Sequence, residues 1–212
     1  MPHRPDDLRD QLALLGQAVV QAGLVVGSGG NLSVRAPGSD ECWVTAAGTW
    51  LDGLHQDSFV RVRISDGAVL DTTAAPSSEI GLHLATYRVR PDANVIVHLH
   101  PQTVLLLDAI GEPIQLVTTD HAFYLRQVVT TPFSPPGDAR VGELAAAACA
   151  GGVNCVILSH HGCSVIADSV ELAHKRALYL EEAAQLTYRA LTLGRTLQPA
   201  PTGWLDRPSA TV

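Results

Sequence analysis

The chain is poor in charged residues and in aromatic residues. Of its 212 residues, 17% are Asp, Glu, Lys or Arg, and 5% are Phe, Trp or Tyr. The 14 basic residues are outnumbered by 21 acidic ones, which gives a formal net charge of −7. This balance excludes the basic surface with which proteins bind nucleic acid or an anionic membrane. A surface short of charge also favours an oligomer, because association covers part of that surface.

Long hydrophobic runs and paired cysteines are missing as well. The longest apolar stretches, such as residues 145–150, are far shorter than the roughly 20 residues of a membrane span. The first residues carry charges where a signal peptide has its apolar run. The four cysteines show no CxxC spacing and are typical of buried, reduced thiols: Cys42, Cys149, Cys155 and Cys163. We therefore expect a cytoplasmic protein with no membrane partner.

The chain does contain enough apolar residues, 46%, to build a full core in one domain. Alternating or continuous apolar runs predict strands at 31–35, 41–48, 59–65, 93–100, 153–158 and after 162. Apolar spacings of three and four predict helices at 6–22, 76–90, 101–110, 137–152 and 168–193. The segment 114–137 is ambiguous. We expect one α/β domain over residues 1–194, with a mixed sheet covered by helices, and a flexible tail over 195–212.

Nine histidines stand out in this composition, and two of them form a His-x-His pair at the end of an apolar strand. Residues i and i+2 of a strand point to the same face, so His98 and His100 should lie side by side. Two adjacent neutral imidazoles suit a divalent transition metal. The pair alone is weak evidence, because two solvent-exposed histidines at a strand end give the same pattern.

A third imidazole ligand is available after another buried strand. The turn at residues 159–162 contains His160 and His161, and either can supply the ligand. Glu79, near the start of the helix predicted from Pro76, can serve as a fourth ligand, a general base, or both in turn. An acidic residue near a helix N-terminus is also an ordinary cap.

Two further segments suit an anion. Residues 27–31, GSGGN, offer backbone N–H groups and the amide of Asn31. Ser77 and Ser78 lie at the predicted N-terminus of a helix, where free N–H groups favour phosphate. Neither feature is specific alone, because glycine-rich turns and serine caps are common.

The order of these pieces along the chain resembles the class II aldolase/adducin family. The residues that carry the resemblance, between about residues 6 and 193, are Gly30-Asn31-Leu32-Ser33, Thr45-Ala46-Ala47-Gly48, Pro76-Ser77-Ser78-Glu79 with His83 and Tyr87, Arg90-Pro91-Asp92, His98-Leu99-His100 and His161-Gly162. The resemblance implies a mixed, largely antiparallel central sheet flanked by helices in three layers. Members similar to fuculose phosphate aldolase are homotetramers with active sites between subunits, and the same assembly is expected here.

By this resemblance, His98, His100 and His161 hold one divalent metal ion per subunit, with Glu79 as a further ligand. Zinc is expected first, and manganese or cobalt are alternatives. His161 is preferred over His160 because the family's ligand directly precedes the glycine.

The family's phosphate contacts match Asn31, Gly48, Ser77 and Ser78. Ala47 departs from the family, which often carries Ser or Thr at that position. One hydrogen bond to a phosphate is therefore lost, and an unphosphorylated ketose stays open as the substrate.

The resemblance implies an aldolase that cleaves or forms a C–C bond of a ketose, expected to be a ketose 1-phosphate that releases dihydroxyacetone phosphate and an aldehyde. Breaking the bond beside a carbonyl leaves an enediolate, whose charge the metal ion stabilises while Glu79 moves a proton. Epimerisation, decarboxylation and dehydration on the same metal are alternatives. A non-catalytic association domain, as in adducin, is less favoured because the metal ligands and Glu79 are all present.

Two roles remain open. His83 lies one helical turn beyond Glu79 and either supports the site or fills the core. The second acid is uncertain because the family's tail tyrosine is missing: the last tyrosine is Tyr188, inside a predicted helix. Three residues of the ambiguous segment are candidates, Asp120, His121 and Tyr124, and His121 is the expected acid. An ordinary polar loop explains that segment equally well.

Overall fold

The computed structural model of the chain describes residues 6–70 and 74–205. Within them, seven strands form one sheet: β1 Asn31–Val34, β2 Glu41–Thr45, β3 Phe59–Arg63, β4 Val95–Leu99, β5 Val128–Thr131, β6 Cys155–Leu158 and β7 Gly162–Ala167. The α-helices are α1 Leu8–Gln21, α2 Ile80–Val89, α3 Gln102–Ala109, α4 Ala139–Cys149 and α5 Val170–Thr192. Short 3₁₀ turns lie at Leu51–Gly53 and Gln56–Ser58, and one π-helical turn lies at His121–Leu125.

The strand order across the sheet is β3-β2-β1-β4-β7-β6-β5. Every neighbouring pair is antiparallel except β5 and β6, which are parallel and are joined through α4. A parallel pair requires such a crossover, whereas antiparallel strands need only a turn. The predicted mixed, largely antiparallel sheet is therefore confirmed.

Helices cover both faces of the sheet, since alternate residues of each strand point to opposite sides. On one face, Leu12 of α1 and Leu180 of α5 pack in the cluster that contains Val97 of β4. On the other face, Leu82 of α2 packs in the cluster that contains Ile96. Adjacent residues of the central strand thus belong to different cores, as a three-layer αβα arrangement requires.

Helix α2 begins at Ile80, later than the start predicted from Pro76. The backbone N–H of Ser77 donates to the carbonyl of Thr45 at 3.0 Å, and Pro76 forms an isolated β-bridge with Ala46, the residue directly after β2. Pro76 and Ser77 therefore pair with the sheet, Ser78 lies in the turn that follows, and Glu79 occupies the N-cap position of α2. The pairing partner of Pro76, Ala46, lies 30 residues away in the sequence and overrides the local helix signal.

The ambiguous segment resolves into the π-helical turn followed by β5. The turn ends at Arg126, whose φ of 58° is unusual for a residue other than glycine. Residues 195–205 contain no helix or strand, and Trp204 stacks on Phe123 with 6.4 Å between the ring centroids. The domain boundary at 194 and the flexibility of the tail stay predictions. No helix in the described ranges combines the length and apolar character needed to span a membrane.

A glycine in α4 allows this helix to pack closely against α2. We predict that adding a side chain at this glycine destabilises the fold. A Cβ at Gly142 would lie 2.7 Å from the carbonyl oxygen of Gly81, which is backbone and cannot swing away. Gly142→Ala should lower the free energy of unfolding by about 1–3 kcal/mol in urea denaturation, although alanine is the better helix former by about 1 kcal/mol.

The matched control is Gly81→Ala, in the facing helix. A Cβ there meets nothing within 4 Å, so this variant should keep or slightly raise the free energy of unfolding. Equal stabilities of the two variants would contradict the close packing of α2 on α4.

Candidate metal centre and active-site cleft

Three adjacent strands and one helix place the predicted site residues at one end of the sheet. His98 in β4 is the direct register partner of Asn31 in β1, and His100 follows the end of β4. His161 directly precedes β7, which pairs with β4 on its other side. Glu79 enters from the N-cap of α2. Residues far apart in sequence therefore meet because β4 lies between β1 and β7.

The imidazoles of His98, His100 and His161 converge on one point. One ring nitrogen of each lies within 4.8 Å of the others, and the Nε2 atoms of His98 and His100 are 2.9 Å apart. The carboxylate of Glu79 faces the same point, with Oε2 3.1 Å from Nε2 of His98 and Oε1 2.9 Å from Nε2 of His161. The structure brings together all four predicted ligands, and His160 is outside the group.

Some close contacts in this group bring acceptors together when the imidazoles are neutral. Nδ1 of His98 donates to the carbonyl of Cys163 at 3.0 Å, so in a neutral ring Nε2 carries a lone pair. That lone pair faces the carboxylate of Glu79, which can only accept. Oε1 of Glu79 is buried and has no hydrogen bond, despite its short distance to His161. Converging electron pairs of this kind are stabilised by a cation, so the residues fit a divalent metal ion.

The protonation states of the group also suit metal binding. Burial alone would raise the pKa of the Glu79 carboxyl, but hydrogen bonds and positive charge from His161 and His98, where these rings are protonated, outweigh burial and lower the pKa below its ordinary value. Burial lowers the pKa of His100 to about 4, so this imidazole is neutral near pH 7. An ionised carboxylate and a neutral imidazole are the forms that bind a metal ion.

Two glycines leave the space that the imidazoles fill. A Cβ at Gly162 would lie 2.5 Å from Cδ2 of His100 and 2.9 Å from Cε1 of His98. A Cβ at Gly29 would lie 2.9 Å from Nδ1 of His100. The glycine directly after His161 is therefore a steric requirement of the cluster. It is the first residue of β7, and the turn predicted at His161 and Gly162 lies one step earlier, at residues 159–161.

An open cleft of about 450 Å³ leads to the cluster. Its lining contains all the residues predicted to bind phosphate, and also three of the predicted ligands: Asn31, Gly48, Ser77, Ser78, Glu79, His100 and His161. Within the described residues, no Lys or Arg lines this cleft. An anion bound here would be held by backbone N–H groups and hydroxyls.

The amide of Asn31 already has two partners inside the protein. Its Nδ2 donates to Oε2 of Glu79 at 2.9 Å, and its Oδ1 lies 2.5 Å from Nε2 of His83. Ser33 Oγ is 2.6 Å from Nδ1 of His83 and 2.9 Å from the hydroxyl of Tyr87. Neither Ser33 nor Tyr87 was predicted to have a role in the site. Their signal was spacing: Ser33 is two residues from Asn31 on a strand, and Glu79, His83 and Tyr87 follow at intervals of four.

His121 lies outside this group and does not line the cleft. Its side chain is fully buried, Nδ1 accepts a hydrogen bond from the N–H of Val117 at 3.3 Å, and Nε2 is 3.2 Å from Oε2 of Glu182. The ring also contacts Tyr179 edge-on. The surroundings of His121 give no support to a role as the second acid, and that role stays a prediction.

Comparison with known proteins agrees with this geometry. A family described as Class II Aldolase and Adducin N-terminal domain matches residues 10–188. The chain belongs to this family. An L-fuculose phosphate aldolase of Methanocaldococcus jannaschii is 32% identical over 163 residues, which cover 77% of this chain and 86% of that protein. A 3-oxo-tetronate 4-phosphate decarboxylase of Pectobacterium atrosepticum is 29% identical over 185 residues, which cover 85% and 83%.

A solved structure gives the same result. An L-fuculose 1-phosphate aldolase superposes with a TM-score of 0.84 at 25% sequence identity, covering 95% of this chain and 94% of that one. The family and fold predictions are therefore confirmed. Since its relatives are named aldolases and decarboxylases, this member of the class II aldolase family is an enzyme, a lyase, and the non-catalytic alternative is set aside.

The steric role of Gly162 gives a prediction about metal binding. Gly162→Ala should push the rings of His98 and His100 apart and weaken zinc binding by the apo protein by about 10-fold or more. The affinity is measured by competition with a chelator, and circular dichroism verifies that the variant is folded.

Gly53→Ala is the control, because a Cβ at Gly53 meets nothing within 4 Å. Its zinc affinity should equal that of the wild type. A folded Gly162→Ala protein with wild-type affinity would contradict the arrangement of the cluster.

Proposed function

We propose that the protein is a divalent-metal-dependent aldolase acting on a ketose 1-phosphate, with dihydroxyacetone phosphate and an aldehyde as the cleavage products. The observation that carries this proposal is the convergence of His98, His100, His161 and Glu79 at a cleft whose lining offers neutral hydrogen-bond donors. The relatives named L-fuculose phosphate aldolase support this choice of reaction.

We propose zinc as the ion, one per subunit, held by the three imidazoles and Glu79, because this ligand set is one that zinc prefers. Manganese and cobalt accept the same ligands. When bound, the ion supplies positive charge beside the substrate oxygens and so stabilises the negative charge that develops as the C–C bond breaks.

Glu79 holds and moves the proton at the reacting carbon. In cleavage, the C3–C4 bond of the ketose breaks and its electron pair stays on C3, while the C4 hydroxyl loses its proton and becomes the aldehyde. Glu79 delivers a proton to C3, and in the condensation it removes that proton. The proton lost from the hydroxyl balances the proton gained at C3. The cleft has no assigned residue for the hydroxyl proton, and His121 remains the prediction for that step.

The lining of the cleft supports a phosphate as the anion. The backbone N–H of Glu79 donates to Oγ of Ser77 at 3.3 Å, which leaves the Ser77 hydroxyl proton free for a ligand. Ser78 and Gly48 line the same cleft. Ala47 offers no hydroxyl, so an unphosphorylated ketose is the alternative substrate within this proposal.

Decarboxylation of a sugar-acid phosphate is the second candidate function. The relative named 3-oxo-tetronate 4-phosphate decarboxylase favours it, because that protein matches this chain over a similar length and at a similar identity. Both reactions begin by placing negative charge beside a carbonyl, so the same cluster serves either. Release of CO₂ rather than an aldehyde distinguishes them.

We also propose a homotetramer that works in the cytoplasm. Large apolar side chains lie exposed on the single chain, among them Trp50, Ile110, Phe133 and Leu193, and an assembly would cover them. The four cysteines are all free and buried, as in proteins of a reducing compartment.

The proton-transfer role of Glu79 gives the direct test of the proposed reaction. Zinc-loaded wild-type protein should release dihydroxyacetone phosphate from one or more members of a ketose 1-phosphate panel. Glu79→Gln keeps the size of the side chain but removes the base. It should still bind zinc through the three imidazoles, with an affinity lower by about 10-fold, and the zinc-loaded variant should have a kcat lower by about 100-fold or more.

Glu41→Gln, which alters an exposed carboxylate on β2, should behave as the wild type. Near-normal turnover in Glu79→Gln would remove Glu79 from the chemistry. Release of CO₂ from a 3-oxo acid phosphate, without cleavage of any ketose, would replace the aldolase assignment by the decarboxylase.

A further inference from the structure

We infer that a buried chain of hydrogen bonds, all donated in the same direction, positions the carboxylate of Glu79. The chain runs through Tyr87, Ser33, His83 and Asn31. Asn31 is the last donor of this chain. The inference deepens the proposed function, on which it rests for the importance of Glu79. None of the first three residues touches the cleft, so they act as positioning residues.

One strand and one helix bring the chain together. Asn31 and Ser33 are alternate residues of β1 and therefore point to the same face of the sheet. Glu79, His83 and Tyr87 recur every four residues at the start and along α2, which packs on that face. Ser33 and His83 are 0% exposed and Tyr87 is 2% exposed, so water does not compete for these hydrogen bonds.

The direction of each hydrogen bond follows from the carboxylate. An ionised carboxylate only accepts, so Asn31 presents Nδ2 to Glu79, and its Oδ1 faces Nε2 of His83. That oxygen also only accepts, so Nε2 of His83 carries the hydrogen. Burial lowers the pKa of His83 to about 3, which makes the ring neutral and leaves Nδ1 as an acceptor.

The remaining two links close the chain. Nδ1 of His83 accepts from the hydroxyl of Ser33 at 2.6 Å. Because the only hydroxyl proton of Ser33 is then used, its oxygen accepts from Tyr87 at 2.9 Å. The carbonyl of Asn94, 3.3 Å from the Tyr87 hydroxyl, is a longer second acceptor for the same proton. Each donor has an acceptor, and every proton points along the chain toward Glu79.

The N–H of His83 reinforces the orientation that the carboxylate sets for the Asn31 amide. Without this N–H, Oδ1 of Asn31 is buried with no donor, so the amide is held by Glu79 alone. The carboxylate of Glu79 is then held less firmly in its orientation toward His98 and His161. Outer partners of metal ligands commonly contribute about 10–100-fold to metal affinity or activity.

Paired substitutions of His83 test this inference against a purely structural role. His83→Leu removes both ring hydrogen bonds and keeps the position filled. His83→Gln retains an N–H near the position of Nε2 and so keeps the donor to Asn31. The measurements are zinc affinity of the apo proteins by chelator competition, and kcat and KM for cleavage by the zinc-loaded proteins.

His83→Leu should weaken zinc binding and lower kcat, each by about 10-fold or more, with KM little changed, and His83→Gln should recover most of both losses. Thr86→Val is the matched control, because Thr86 is equally buried on α2 and its hydroxyl donates to the carbonyl of Leu82 at 2.9 Å, outside the chain. Its zinc affinity and kcat should equal those of the wild type.

Equal losses in His83→Leu and His83→Gln, or a loss in Thr86→Val as large as in His83→Leu, would overturn the inference. If His83→Leu does not fold, Ser33→Ala carries the same test: zinc affinity and kcat should fall together, and unchanged values would overturn the inference. If the wild type cleaves no ketose phosphate, the proposed function fails, while the zinc affinities still decide whether the chain positions Glu79.

Discussion

Nε2 of His98 and the carboxylate of Glu79 face each other at the centre of the site, and with neutral imidazoles the repulsion between their electron pairs must be offset for the site to form. A divalent cation, as we propose, would offset most of it, since both groups are ligands of such ions. The surrounding protein supplies the rest. The carbonyl of Cys163 fixes the His98 ring through Nδ1, and Gly162 leaves the space into which the rings fit.

The fold meets this requirement by placing β4 in the middle of the sheet. Its neighbours, β1 and β7, bring Asn31 and His161 to the same end as His98. Because both faces of the sheet are covered by helices, the strand positions are held by two separate cores. Glu79, at the N-cap of α2, reaches the site from one face of the sheet. The site is open to solvent through the cleft.

Local patterns were enough to predict much of the site. The spacing of His98 and His100 places both at one strand end, and the glycine after His161 marks a turn beside it. The features that could not be predicted from the sequence depend on contacts between residues that are far apart in the chain. The local sequence predicts that a helix starts at Pro76, yet this segment pairs with the end of β2. The segment around His121 has no clear period because it forms a π-helical turn packed against α5. The orientation of the Asn31 amide is fixed only when α2 packs on β1.

The metal content of the protein, purified without added metal and with any histidine tag removed, tests the central claim most directly. Elemental analysis should find about one divalent ion per chain, zinc in excess of the others, and His98→Ala should abolish it while the fold persists. A wild-type protein that contains no divalent ion, and that binds none on titration with zinc, manganese or cobalt, would contradict the account.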